Sequence, residues 1–230
     1  MVETKTVNPE REERILDAAA RLIVHFGYDK TTVSDIAREA GVSKGAIYLH
    51  YTSKETLFEA LIFRETLRYG EDWLQRFEAD DDDWSFITMF KLMLLTMQDY
   101  PFMVALFKRD PHVFGSFLRH DSKLLQQKGA ANTQLFGLLQ GIGAMRADMD
   151  PPIIAYLLNV FAYGLVNSEA VIPPDQTPPF EDVIEGLGKL LDRGLAPEER
   201  GDGKAAKALV QQITQGLQMQ FKQMREQTPT

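Results

Sequence analysis

The sequence predicts an all-α protein in two parts, on three observations. Apolar residues recur at three- and four-residue spacing along most of the 230 residues, which is the period of one helix face. The apolar runs are punctuated by hydroxyl-plus-acid pairs, glycines and prolines, which are helix starts and stops. A short helical hairpin, Thr32 to Lys54, comes just before a helix long enough to join two domains. We therefore divide the chain into a small N-terminal domain, residues 1–52, a larger helical domain, residues 53–196, and a linker with an amphipathic helix of unassigned role, residues 197–230.

Met1 to Asn8 shows no apolar periodicity and reads as a mobile tail. Pro9 and the acids Glu10, Glu12 and Glu13 then open a first helix at its positive end. Ile15, Leu16, Ala19, Leu22, Ile23 and Phe26 form its buried stripe, and Gly27 stops it.

In the hairpin, Thr32 and Asp35 make a capping pair, the hydroxyl taking a backbone donor and the carboxylate reaching back to the cap. Val33, Ile36, Ala37 and Ala40 give one narrow apolar stripe. Gly41 stands where a left-handed backbone ends a helix, and Val42 plugs the turn. Ser43 caps the next short helix, Lys44 to about His50, in which Ala46, Ile47 and Tyr51 face the core. Lys44, Gly45, Tyr48, Leu49 and His50 are left for an outside partner.

Helix, glycine turn and a short helix with small and basic N-terminal residues is the pattern of a DNA-binding helix-turn-helix. A hairpin that only packs can share it. The net charge is −8, yet residues 1–54 hold eight basic and eight acidic side chains, so the acidity belongs to the rest. No acid lies between Glu39 and Glu55, and Lys44, Lys54 and His50 give a local positive patch. Phosphate attraction acts over a Debye length of about 8–10 Å, so a basic headpiece can dock while an acidic body stays clear.

From about Arg14 to Leu61, the order Thr-Thr-x-x-x-Ile-Ala-x-x-Ala-Gly-Val-Ser-Lys-Gly-x-x-Tyr-x-His-Tyr-x-Ser-Lys-Glu-x-Leu-Phe closely resembles the N-terminal signature of the TetR family of transcriptional regulators. The resemblance implies a three-helix headpiece whose third helix enters the major groove. It places Lys44, Gly45, Ala46 and Leu49 at base edges, and Tyr48, His50 and Lys54 at phosphates. Thr32 and Ser34 hold phosphates at the start of the second helix, and Ser43, which caps the recognition helix, is counted with them among the expected DNA-binding residues. Ala46 and Leu49 offer thymine-methyl contact, so base specificity leans on Lys44 and on DNA shape. The resemblance also implies a homodimer on a double-stranded operator, and a small-molecule effector in the larger domain.

A long helix is predicted from Thr52 or Ser53 to about Phe77, opened by a capping box of Thr52 with Glu55. Leu57, Phe58, Leu61, Ile62, Leu67, Trp73, Leu74 and Phe77 supply its apolar contacts. The acidic run Asp80 to Asp83 reads as a solvated loop, not a calcium site.

Trp84 to Phe117 is rich in Met and aromatic residues, in one helix to about Gln98 and two shorter ones broken at Pro101 and Pro111. Thioethers mixed with rings suit an adaptable apolar cavity. Trp73, Met89, Met93, Met97, Phe102, Phe107, Tyr156 and Tyr163 are the candidate effector-binding residues.

A helix from Asp121 to about Ala144 is predicted to turn Leu124, Leu125, Ala131, Leu135, Leu138, Leu139 and Ile142 inward. Its glycines complete no nucleotide fingerprint. Further helices run from Pro151 or Pro152 to about Ala170 and from Phe180 to Leu195, joined by a stiff loop, Pro173 to Pro179. Both are too apolar for lone surface helices, so Ile154, Leu158, Phe161, Leu165, Val183, Leu187 and Leu191 are the candidate dimerisation residues. Beyond a polar linker, Lys204 to Gln227 regains helical character, with Leu209, Ile213, Leu217, Phe221 and Met224 on one stripe.

The chain has no cysteine, which removes disulfides, thiolate metal sites and a cysteine nucleophile. It shows no signal-like N-terminus and no continuous apolar window of about 18 residues, so a cytoplasmic protein without a membrane partner is expected. His112 and His120 stand near Asp110 and Asp121, but no His-x-x-x-His pair shares a helix face, and no metal is expected. No hydrolase elbow or phosphate loop appears, so no cofactor and no catalytic residue are expected. The competing readings are a helical protein-binding adaptor, which needs no basic face, and a helical enzyme using the apolar cavity.

Overall fold

The computed structural model describes residues 9–79, 86–119, 133–197 and 202–227, and among these there is no strand. The helices are α1 (Pro9–Phe26), α2 (Val33–Ala40), α3 (Lys44–Tyr48), α4 (Lys54–Ala79), α5 (Phe86–Met97), α6 (Pro101–Lys108) and α7 (Pro111–Phe114). A 3-10 turn, Gly115–Arg119, follows, then α8 over 133–141, α9 (Pro151–Val166), α10 (Phe180–Leu195) and α11 (Gly203–Gln227). The expected N-terminal tail, the acidic loop at Asp80 to Asp83, Trp84, His120 and the positions Leu124, Leu125 and Ala131 lie outside the described residues.

The chain forms two compact units. The first takes in residues 1–68, 101–121 and 221–230, and the second residues 69–100 and 122–220. The long helix α4 contributes to both.

In the first unit α1 packs against α2, α6 and α7, and α2 against α3. Ile15, Leu16, Ile23, Ile36, Ile47, Leu57 and Leu61 are buried in its core. Phe26, expected inside, is 49% exposed. The Phe58 ring contacts those of Tyr28, Phe102, Phe114 and Phe117 at centroid distances of 4.6–6.0 Å. Each is an aromatic pair within the favourable range. An ion network joins α1 to α4. The buried Arg64 guanidinium meets Asp17 at 2.7 Å, Glu13 at 3.3 Å and Glu65 at 2.6 Å, and Arg68 adds bonds to Glu13 and Asp17. Fixing one buried cation with three carboxylates makes its loss costly, since removing a partner leaves buried charge uncompensated.

The start of α4 differs from expectation. Ser53 and Thr56 cap it reciprocally, Ser53 N–H donating to Thr56 Oγ1 at 3.0 Å and Thr56 N–H to Ser53 Oγ at 3.1 Å. The expected Thr52–Glu55 pair is one residue out of step, and Glu55 instead accepts from the Tyr28 hydroxyl at 3.0 Å.

In the second unit α5 packs against α10, with Lys91 bonded to Glu185 across them. The loop before α9 is pinned to the end of α10 by Arg146, whose N–H donates to Leu195 O at 3.0 Å and whose guanidinium donates to Gly194 O at 2.9 Å. Leu139 is buried as expected, whereas Leu138 and Ile142 are each 41% exposed, and Phe136 and Met145 take the inward positions. In α11 Ala206 and Val210 are buried, and the expected Leu209 and Ile213 are half-buried beside them on the same face. That helix lies on α4: the Lys207 ammonium stands 5.5 Å from the Phe77 ring centroid, and Gln218 Nε2 lies beside Gly70.

Helix α9 is apolar on two sides, which corrects the expected dimerisation set. Ile154 and Leu158 are buried within their own unit, as is Leu191 of α10. The outward stripe of α9 is Ile153, Tyr156, Leu157, Val160 and Gly164, with Phe161 and Tyr163 at its margins. On α10 the outward stripe is Val183, Gly186, Leu187, Leu190 and Gly194, of which Leu190 is 70% exposed. Both follow the three-four spacing of one helix face. An apolar stripe on each face let the sequence give the period without the direction.

Candidate nucleic-acid interface

Local chemistry fixes the α2–turn–α3 hairpin. Thr32 holds an extended backbone and caps α2, its Oγ1 accepting from Asp35 N–H at 3.2 Å while its hydroxyl donates to the Asp35 carboxylate at 2.6 Å. These bonds from Thr32 hold the Asp35 carboxyl below its ordinary range. Gly41 adopts φ 65°, ψ 37°, so the chain reverses with no Cβ penalty, and Val42 N–H returns to Ala37 O at 2.9 Å. Ser43 Oγ accepts from Ala46 N–H at 3.1 Å and starts α3.

The consequence is a short helix anchored by Ile47, 1% exposed, with its other side to solvent. Thr32, Ser34, Ser43, Lys44, Gly45, Tyr48 and Leu49 are exposed, and Ala46 is half-buried. The Lys44 ammonium lies 5.8 Å from the Tyr48 ring centroid. A Cβ built on Gly45 would meet only Ser43 Oγ, at 3.9 Å, so the backbone there is open to close approach. At the flank, Glu39 is paired with Arg21 and Asp35 with Arg38. Both carboxylates near the face are thereby offset. The Arg38 side chain is 80% exposed, a cation the motif reading did not single out.

Two positions differ from the expectation. His50 is 7% exposed, its ring beside that of Tyr51, and burial depresses its pKa from 6.5. A buried neutral imidazole adds no positive charge and is withdrawn from the surface. Lys54 is half-buried, its ammonium donating to the Tyr28 carbonyl and lying 3.9 Å from the Tyr28 ring centroid. Burial lowers its pKa, against the opposing pull of Asp29 and Glu55. Tyr28 had no periodic signal to mark it.

The loop holding Tyr28 is locked into the same unit. Tyr28 N–H donates to Val113 O at 2.8 Å, and Ser116 donates through N–H and hydroxyl to the Asp29 carboxylate. Gly27 has φ 85°, and a Cβ there would stand 2.2 Å from His112 O.

The candidate effector residues are divided. Trp73, Met89, Met93 and Met97 belong to the second unit, where Trp73 Nε1 donates to Met89 O at 3.4 Å and Tyr69 hydroxyl to Met93 O at 2.9 Å. Phe102 and Phe107 belong to the first, and Phe102 is spent in the aromatic cluster around Phe58. Tyr156 and Tyr163 are 69% and 49% exposed on α9 and line no interior. Among the described residues no group of His, Cys, Asp or Glu could hold a metal ion, and no helix is long and apolar enough to cross a membrane.

Comparison with known proteins bears on this hairpin directly. Residues 15–61 match the family of bacterial regulatory proteins described as the tetR family. The transcriptional regulator TtgR of Pseudomonas putida is 23% identical over 202 residues, 84% of this chain and 93% of that protein. Among solved structures, a Rhodococcus sp. protein described as a TetR-family transcriptional regulator superposes with a TM-score of 0.60 at 23% identity, covering 81% of this chain and 98% of that one. The regulator FadR of Bacillus subtilis, in complex with stearoyl-CoA, superposes with a TM-score of 0.53 at 23% identity, covering 78% and 96%. At that identity the two structures speak to the fold.

Proposed function

Because the chain belongs to the tetR family of bacterial regulatory proteins, we propose that it is a cytoplasmic homodimeric repressor, released from a palindromic operator when a small apolar or amphipathic molecule binds its second unit. The observation that carries this reading is the exposed face of α3, capped at Ser43, anchored by Ile47 and free of acids. Lys44, Gly45, Ala46 and Leu49 approach base edges; Thr32, Ser34, Tyr48 and Lys54 serve phosphates. A phosphate reaching Lys54 competes with the Tyr28 carbonyl for the ammonium.

Two such headpieces bind half-sites in successive major grooves, about 34–36 Å apart or a multiple. The outward stripes of α9 and α10 supply the two-fold contact. Open glycines at 164, 186 and 194, with nothing within 4 Å of a built Cβ, favour close approach of a second helix pair.

Coupling runs through α4, whose 26 residues span about 39 Å at ~1.5 Å per residue. Lys54 starts it, and Tyr69 and Trp73 lie farther along the same rod. A ligand that shifts α4 at Tyr69 moves Lys54 with it, since packed interiors move between discrete arrangements. A coupling of about 1–3 kcal/mol is a roughly 5- to 150-fold change in operator affinity.

The test is the salt dependence of binding to a fluorescent duplex. The reading expects a steep negative slope and a large loss on Lys44→Ala. Salt-independent binding, or none, favours the adaptor reading instead.

A further inference from the structure

The first residue of α4 is a lysine held without a counter-ion. Lys54 Nζ donates to the Tyr28 carbonyl and lies 3.9 Å from the Tyr28 ring centroid, and among the described residues no carboxylate forms an ion pair with it. The nearby acids are engaged by other donors: Glu55 accepts from the Tyr28 hydroxyl at 3.0 Å, and Asp29 accepts from Ser116 N–H at 3.0 Å. Other lysines stand differently. Lys91 and Lys189 are paired with Glu185, and Lys30 and Lys44 are exposed.

The seat of Lys54 is fixed. Tyr28 is 4% exposed and its N–H is bonded to Val113 O. A carbonyl and a ring face hold an ammonium, but neither demands one, since a neutral nitrogen keeps a hydrogen to donate. Burial without a counter-ion favours that neutral form and lowers the Lys54 pKa, with Asp29 and Glu55 pulling the other way from longer range. A desolvated lysine of this kind is an activated nucleophile.

We propose that Lys54 is an acylation site, taking the acyl group of a small acyl phosphate, and that the amide formed removes its DNA-phosphate contact while leaving the fold in place. The loss of contact rests on the DNA-binding reading above; the chemistry of the site rests on Lys54 and Tyr28 alone. A face that attracts DNA phosphates attracts the phosphate of this donor and brings its acyl carbon to the amine. The nitrogen lone pair attacks that carbon, the new C–N bond replaces the C–O bond to phosphate, and phosphate leaves with the electron pair. The nitrogen gives up one proton to water. The secondary amide retains one N–H for the Tyr28 carbonyl, so the docked position survives with no charge to desolvate. The charge that a DNA phosphate would have drawn away from Tyr28 is gone.

The test treats the full chain with acetyl phosphate in mildly alkaline buffer and follows it by peptide mass mapping, thermal unfolding and anisotropy with a fluorescent duplex. Lys54 should be acetylated at least about threefold faster than the exposed Lys30 and Lys44, with the melting temperature unchanged and duplex affinity falling in step with Lys54 occupancy. Lys54→Gln should lower duplex affinity as acetylation does, and Lys54→Arg, which keeps the charge, should lose affinity under the same treatment at least about threefold more slowly than the wild type. The proposal is overturned if Lys54 reacts no faster than Lys30 and Lys44, if its acetylation unfolds the protein, or if Lys54→Arg loses affinity as fast as the wild type. Mapping and melting need no DNA, which separates the two readings. A wild type that binds no duplex before treatment, yet is modified first at Lys54, keeps the acylation site and removes the DNA-binding reading; salt-dependent binding beside an unreactive Lys54 leaves the regulator standing and removes only this site.

Discussion

The Lys54 ammonium is held between the carbonyl and the ring of Tyr28, whose own N–H donates to Val113 O and whose hydroxyl donates to Glu55. One tyrosine thus links the start of α4, the loop after α1 and the end of α7. A cation parked 3.9 Å from a ring centroid keeps part of its attraction to an incoming phosphate while its stem stays ordered. Lys54→Ala should therefore weaken all duplex sequences about equally and reduce the salt slope by about one. Lys44→Ala should also relax base preference. Fluorescence anisotropy across a salt series on two unrelated duplexes distinguishes the two effects.

The α9 and α10 stripes give opposite outcomes for neighbouring residues. Leu190→Glu, at a 70% exposed position, should leave folding intact and yield monomers with much weaker DNA binding. Leu191→Glu, 8% exposed, should instead lower stability by several kcal/mol, on the order of an unpaired buried charge. Sedimentation and thermal melting of the two variants side by side check the assignment.

Acid sensitivity follows from His50. Its folded pKa lies below the unfolded value of 6.5 because burial disfavours the charged ring. The unfolded state then binds more protons between the two values, so the stability from the neutral buried ring is present above about pH 6.5 and is lost as pH falls below it. His50→Gln should flatten the decline in melting temperature between pH 7 and 5. An unchanged profile would remove His50 as its source.

Two glycines that look alike in sequence should behave differently. Gly41→Ala meets nothing within 4 Å and carries only its φ of 65°, a cost of about 1 kcal/mol. Gly27→Ala puts a Cβ 2.2 Å from the His112 carbonyl at φ 85°, and the loop holding Tyr28 must move. Urea denaturation should show the second losing more than the first by at least about 1 kcal/mol.

The headpiece was legible because its signals are local. Thr32 with Asp35, Gly41 and Ser43 fix their bonds within four residues. The α4 cap was misplaced because Thr52–Glu55 and Ser53–Thr56 are equally good pairings on paper, and the Tyr28 hydroxyl, 27 residues away, takes Glu55. His50 turned inward and Lys54 onto Tyr28 for reasons that lie in tertiary packing. In α9 a helix apolar all round hid which stripe faces its own core, and so misplaced Ile154 and Leu158 on one count and Tyr156 and Tyr163 on another. Phe102 reads like its Met and aromatic neighbours, yet packs on Phe58.

Selection from a random duplex pool by the purified wild type, repeated with Lys44→Ala, tests the regulator most directly. The wild type should enrich an inverted repeat with half-site centres one helical turn or a multiple apart, and the variant should lose preference at the bases that Lys44 reads. Enrichment of no sequence, or of a single site without two-fold symmetry, would contradict a dimeric regulator that reads DNA through α3.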